Sequence, residues 1–271
     1  MAAARRRLDG ELVRRKLAPS REAAQKAVAD RRVTVNGALA NKPARMVLGG
    51  DAIELLGPPP KYVGRGGDKL EGALASFGID PTGWHCVDVG SSTGGFTDCL
   101  LQAGATDVVA IDVGRAQLHN RLRRNRRVDV REQTDVRSVD PAEIGAPFDL
   151  VVIDVSFIGL DRILDIVASL AGDEGQILAL VKPQFEAGKQ EASKGKGVIR
   201  DPEIWNRVLH ETIAASRQRE LLVGGIDVSP IKGGAGNVEF FLWIGGPAAS
   251  VADLVDEHAV NTAIERVGAL P

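Results

Sequence analysis

Two cysteines in 271 residues, Cys86 and Cys99, are too few for a disulfide framework and carry no metal-ligand spacing. That excludes a cross-linked secreted scaffold and a structural zinc site, and it points to a reducing compartment, the cytoplasm. Cys86 sits in an apolar run and reads as a small buried hydrophobe. Long hydrophobic runs are also missing. The longest apolar stretches, such as LVVIDVSFIGL, are strand-length and broken by acids, so none is expected to span a bilayer. Arg5, Arg6 and Arg7 are followed by LDGELVRRK rather than an apolar stretch, which argues against an export signal. What is present, 44% hydrophobic and 26% charged residues, suits a globular chain with room for one medium domain and one small one.

A formal net charge of -2 hides an asymmetry. Residues 1–60 hold 12 of the 34 Lys and Arg against 6 of the 36 Asp and Glu, leaving 22 against 30 for the remainder. A basic small unit joined to an acidic larger one suggests a polyanion-binding module, with a solvated charged face as the alternative. RRRLDGELVRRKL carries Leu8, Leu12 and Val13 at helical spacing. Pro19 breaks that helix, and Ser20 can cap the next, SREAAQKAVADRR, with Ala23, Ala24, Ala27 and Val28 as its buried stripe. VTVNGALA alternates around Asn36-Gly37, a pair suited to a tight hairpin, and DAIELL closes a small sheet. The segments RLDGELVRRKL, SREAAQKAV, VTVNGALANKP and GDAIEL together resemble the S4 RNA-binding domain. The resemblance implies that Arg6, Arg7, Arg14, Arg15, Arg21, Lys26, Arg31 and Arg32 meet RNA phosphates. Asp9 lies inside this match and is read as structural.

GPPPKYVGRGG marks the boundary, with three prolines and a freer glycine end. The expected organisation is an S4-like domain over 1–59, a linker over 60–66 and a larger domain over 67–271. In that larger domain HCVDVG, DVVAID, VDVREQ, FDLVVIDV and QILALVKP read as buried strands alternating with helical stretches. LLVGGIDVSPI and VEFFLWIGG follow, joined by a connection too short for a crossover helix, so they are antiparallel neighbours. The expected fold is α/β, a Rossmann-like methyltransferase with a seven-stranded, mostly parallel sheet, preceded by the small α+β unit. Ligands in such sheets bind beyond the carboxyl ends of the strands.

The first of these strands runs into DVGSSTGGFTDCL. Gly90, Gly94 and Gly95 are spaced G-x-x-x-G-G, so the dinucleotide fingerprint fails, and no Gly-Lys-Ser/Thr follows for a P-loop. Asp88 ahead of the turn repels phosphate and suits an ammonium or sulfonium. Asp112 ends the next strand, 22 residues after Gly90, where an acid can hold ribose hydroxyls. Asp135 follows the third strand and is placed to bond an adenine amino group. A ribose, an adenine and a positive charge without phosphate describe S-adenosylmethionine, wrapped by Gly90, Ser91, Ser92, Thr93, Gly94, Gly95 and Phe96. Each acid taken singly could instead cap a helix or solvate a strand end.

Asp154 and Lys182 end neighbouring strands, which lie about 4.8 Å apart, so their side chains can meet. Glu239 reaches the same rim from the antiparallel strand. Lys69 opens a helix, where its charge opposes the dipole unless a carboxylate lies close by. Lys69, Asp154, Lys182 and Glu239 in this order, within GRGGDKL, DLVVIDVSF, LVKPQFEAG and GNVEFF, resemble the catalytic tetrad of FtsJ-like RNA ribose 2′-O-methyltransferases. With the S4 match in front, nearly all of residues 5–245 resembles the TlyA family. That resemblance implies 2′-O-methylation of cytidine in ribosomal RNA within ribosomal subunits; it implies no obligate protein partner, and the sequence gives no segment suited to a membrane. Lys182 is the candidate base. A free lysine has a pKa near 10.4, so it would need desolvation or a nearby cation, while Asp154 and Glu239 favour its charged form. A pair of rim salt bridges is the alternative. Two further stretches are candidates for RNA contact: GRAQLHNRLRRNRRVDVR, whose seven arginines could extend the S4 basic surface or simply lie on a solvated helix, and the loop EAGKQEASKGKGVIRD, through Lys189, Lys194 and Lys196. The tail after Ser250, a possible cap, has helical spacing and reads as packing. A non-catalytic ribosome-assembly factor and, from the family's other label, a haemolysin are the competing functions.

Overall fold

The computed structural model describes residues 5–18, 20–58, 60–188, 191, 195 and 197–270; Pro19, Lys189, Lys194 and Lys196 lie outside them. The chain divides into two compact units, Met1–Pro60 and Lys61–Pro271.

In the first unit, β1 (Arg6–Arg7) leads directly into α1 (Leu8–Arg14), and α2 (Arg21–Ala29) starts where the Ser20 side chain accepts the Ala23 N–H. Arg6 and Arg7 were expected to be helical. They are extended instead because they pair antiparallel with Val47 and Met46 of β4 (Met46–Val47). β2 (Val33–Val35) is flanked by β3 (Ala38–Leu39) and β5 (Ile53–Leu55), the hairpin turning at Asn36-Gly37 with positive φ at both positions. Leu8, Leu12, Ala24, Val28 and Val33 form its small core.

The second unit opens with α3 (Gly66–Phe77) and builds one sheet from β6 (His85–Val89), β7 (Asp107–Asp112), β8 (Val128–Glu132), β9 (Leu150–Ile153), β10 (Gln176–Val181), β11 (Leu222–Val228) and β12 (Phe240–Gly245). The order is β11-β12-β10-β9-β6-β7-β8. β12 is inserted antiparallel between β10 and β11, while β6 to β10 pair in parallel. Alternation along each strand feeds two cores. Val87, Val151, Ile177, Phe240 and Leu242 pack toward α6 (Leu164–Ala171), α8 (Pro202–Arg217) and α9 (Glu257–Glu265). Cys86, Leu150, Val152, Leu178 and Phe241 pack toward α3 and α4 (Gly95–Gln102). The remaining helices, α5 (Asn120–Arg123) and α7 (Pro183–Glu186), are single turns. The tail helix is capped by Asp256, which accepts the Ala259 N–H, and not by Ser250: the Leu254 and Val255 N–H groups bond Val223 O, which keeps that stretch extended along β11. No described helix is long and apolar enough to cross a membrane.

Candidate active site and cofactor pocket

The turn after β6 is shaped by close packing. The Gly90 and Ser91 N–H groups both donate to Ile111 O, and Gly90 adopts a φ of 90°. A Cβ there would stand 2.6 Å from Asp154 O, so the backbone of one strand end lies against the other. Asp112 holds the next loop by accepting the Ser92 N–H at 2.7 Å on one oxygen and the Gly114 N–H at 2.6 Å on the other. Asp135 accepts the Arg137 N–H and pairs with its guanidinium at 2.5 Å.

A cavity of about 400 Å³ lies at the carboxyl ends of the strands, with Gly90, Asp112, Gln117, Asp135, Asp154 and Phe157 in its walls. Ser91, Thr93, Gly95 and Phe96 line a smaller recess of about 190 Å³ on the turn. Gly94 and Asp88 line none of the described cavities. Gly94 caps α4 in a left-handed conformation close to Leu118 and Leu122. Asp88 is wholly buried. One oxygen accepts from the Thr97 N–H at 2.9 Å and its hydroxyl at 2.6 Å, and the other has no partner among the described residues. Burial pushes its pKa up to about 7; the Thr97 hydrogen bonds oppose the shift, and the charges of Asp154 and Asp112 add to it.

A second cavity of about 350 Å³ adjoins the first, sharing Gly90, Ser92, Asp154 and Ser156 with it. Lys69, Asp154, Lys182 and Glu239 all line it. They form two ion pairs: Lys69 Nζ with Glu239 Oε2 at 2.5 Å, and Lys182 Nζ with Asp154 Oδ1 at 2.5 Å. Lys69, Lys182 and Glu239 are buried, so these are not surface pairs. Lys182 also donates to Ser156 Oγ at 3.1 Å. Glu239 needs the glycine at 233, where a Cβ would come 2.4 Å from its Oε1.

Several lining residues escaped the sequence reading. Ser156 and Phe157 lie two and three positions after Asp154, and Gln184 and Phe185 two and three after Lys182; their closeness to the rim was the available signal. Asn237, buried two positions before Glu239, accepts the Ile199 N–H and donates to Gly197 O, which fixes residues 197–199 beside the second cavity. Of the arginine-rich stretch after β7, only α5 is helical, and its end is β8. Glu132 accepts the N–H groups of Ala116, Gln117 and Leu118 and folds that stretch as a loop.

In the first unit the arginines gather on two buried carboxylates. Asp9 pairs with Arg7 and Arg21, and Glu11 with Arg6, Arg14 and Arg15. Lys26 lies on α2 and Arg31 is exposed just beyond it. Arg32 donates to the carbonyls of Leu56, Gly57 and Pro58.

A sheet of this order with a glycine turn at its switch point and acids on the next strand ends defines a methyltransferase-type fold. The comparisons agree. The FtsJ-like methyltransferase family model matches residues 62–246, and the S4 domain model matches residues 6–53. The 16S/23S rRNA (cytidine-2′-O)-methyltransferase TlyA of Mycobacterium tuberculosis is 43% identical over 246 residues, 89% of this chain and 90% of that protein. Hemolysin A of Brachyspira hyodysenteriae is 37% identical, covering 82% of this chain and 92% of its own. A solved structure from Streptococcus thermophilus, described as a hemolysin, superposes with a TM-score of 0.75 at 37% identity, covering 99% of this chain and 98% of that one. The chain belongs to the TlyA family of FtsJ-like methyltransferases with an N-terminal S4 domain.

Proposed function

We propose that the protein transfers a methyl group from S-adenosylmethionine to the ribose 2′-hydroxyl of cytidine in ribosomal RNA, gripping that RNA through its S4 unit. The observation that carries this reading is the pair of buried Lys–carboxylate contacts in a cavity that opens onto the carboxyl-end cavity. The name and reaction of the Mycobacterium tuberculosis relative support it.

The first cavity fits the cofactor by its chemistry. Asp112, Asp135 and Asp154 line it, which suits hydroxyls, an amino group and a positive centre. Among the described residues, the one guanidinium in its wall, Arg137, is tied to Asp135, and no other cationic side chain lines it to hold phosphate. Asp112 would take the ribose hydroxyls, Asp135 the adenine side, and the turn from Gly90 to Phe96, with Asp88 beneath it, the positive end. When bound, the cofactor supplies an electrophilic methyl group on a sulfonium.

The chain's residues do the rest. The target ribose enters the second cavity, and Gly90, Ser92, Asp154 and Ser156 form the passage between the two. Holding the hydroxyl there converts an encounter into an intramolecular approach, the larger share of the acceleration. Lys182 takes the hydroxyl proton on Nζ once its ammonium has first given up a proton to solvent, as a base paired with Asp154 must. Asp154 stabilises the ammonium that forms, and Ser156 fixes its direction. Lys69 and Glu239 hold each other in place and position the sugar.

The deciding experiment is transfer of labelled methyl to purified, unmethylated ribosomal subunits, with Lys182→Ala as control. Label in RNA that makes one linkage resistant to alkali supports the reading. Cofactor binding without label in either subunit or in free ribosomal RNA would favour the assembly factor. Leakage of liposomes at micromolar protein would favour the haemolysin named among the relatives.

A further inference from the structure

We infer that Asp9 and Glu11 are positioning residues for RNA, holding Arg6, Arg7, Arg14 and Arg21 as a pre-oriented array for phosphates. This rests on the RNA-binding reading of the first unit. Both carboxylates are buried, Asp9 at 0% and Glu11 at 1% exposure, in a unit with a small core. Burying an anion is costly unless it is fully paired, and replacing buried ion pairs with apolar groups is often neutral or stabilising. These acids therefore call for a reason other than stability.

The hydrogen bonds supply one. Arg7 grips Asp9 through Nε and Nη2 at 3.1 and 2.8 Å, and Gln25 and the Gly10 N–H complete that carboxylate. Arg21 Nε lies 3.2 Å from it. Arg14 grips Glu11 through Nε and Nη2 at 2.8 and 2.6 Å, and Arg6 stands 3.8 Å away. Each guanidinium has five donors in a rigid fork. The side chains of these four arginines stay about half exposed and make no other hydrogen bond or ion pair among the described residues, so their outer donors face solvent, in directions set by a two-pronged grip for Arg7 and Arg14 and by charge alone for Arg6 and Arg21.

Two other arginines differ. Arg15 is mostly buried and gives its donors to Glu11 and the carbonyls of Leu48, Gly49 and Asp51. Arg32 is likewise occupied by three carbonyls. These two brace the unit's own loops. With its acid counted, each cluster remains net positive, and the ordering cost of its arginines is met before RNA arrives.

The sign of the effect decides the matter. By charge alone, removing a carboxylate from a phosphate-binding surface strengthens binding and steepens its salt dependence. By positioning, Glu11→Gln and Asp9→Asn in the full-length protein each weaken binding to naked 23S ribosomal RNA roughly three- to tenfold. The salt slope becomes shallower by about one phosphate contact, and cofactor affinity is unchanged. In an Arg14→Ala background Glu11→Gln should cost less, because the two act through one contact. Equal or tighter RNA binding by folded Glu11→Gln and Asp9→Asn would overturn the inference.

Should those variants unfold, paired arginine variants decide. Arg6→Ala with Arg14→Lys, which leaves Glu11 a cation but removes the two-pronged grip, should weaken RNA binding with a smaller fall in melting temperature than Arg15→Ala with Arg32→Ala. Unaltered RNA binding by the Arg6 and Arg14 pair would sink the proposal. Absence of RNA binding by the wild type would instead remove the RNA-binding reading on which it rests.

Discussion

Asp88 shows how one enclosed carboxyl group can tie folding to ligand. Its pKa of about 7 means that the folded chain keeps this proton where an unfolded chain has lost it. Stability from this group is full below the ordinary carboxylate range and falls as pH rises through about 7. Calorimetric melting of the wild type should therefore decline between mildly acid and neutral pH relative to Asp88→Asn; parallel curves would refute the assignment. A cation bound near Asp88 favours its ionised form, so cofactor binding near pH 7 should release a proton, visible as a buffer-dependent binding heat. At the neighbouring site, Lys182→Ala should reduce methyl transfer by about 10²- to 10⁴-fold while leaving cofactor affinity intact. Gly90→Ala combines a left-handed φ with a Cβ 2.6 Å from a carbonyl oxygen. It should cost about 1–3 kcal/mol of stability and weaken cofactor binding, read by thermal shift with and without S-adenosylmethionine.

Among the elements, the strand ends carry the residues proposed to do the chemistry. Asp154 and Lys182 flank β9 and β10, which run in parallel register, so their meeting could be read from two apolar runs each ending in a polar residue. The antiparallel β12 was equally legible, because the glycine-rich connection before it has no room for a crossover. Other features left no local mark. Arg6 and Arg7 are extended because of a partner 40 residues away, and the basic stretch after β7 is a loop because Glu132 gathers three of its N–H groups. Neither cause has a periodicity. Asn237 belongs to the same class: its amide mimics a strand partner for residues 197–199. Asn237→Ala should loosen that wall and raise the KM for RNA several-fold with the cofactor Kd unchanged; a shift in cofactor affinity alone would contradict its placement.

At the scale of the whole molecule, the charge split between the two units divides the labour. Among the described residues, all that line the three cavities above fall within 61–271. Tyr62 is buried against Gly67, and the Asp98 carboxylate accepts the Val63 N–H. A fragment starting at residue 61 should bind cofactor as the full chain does and lose most RNA affinity, whereas one starting at residue 68 should lose both; equilibrium dialysis and filter binding would tell. The inserted strand also sets a timetable. A ribosome emits this chain from residue 1 onward, yet β12 must slide between β10 and β11 after both have been made, bringing Glu239 to a lysine synthesised 170 residues earlier. Until then the sheet has an open slot and the charged quartet lacks a member. On the proposed function, a chain that stops short of Glu239 should be inert toward RNA sugars, because it lacks the carboxylate that pairs with Lys69.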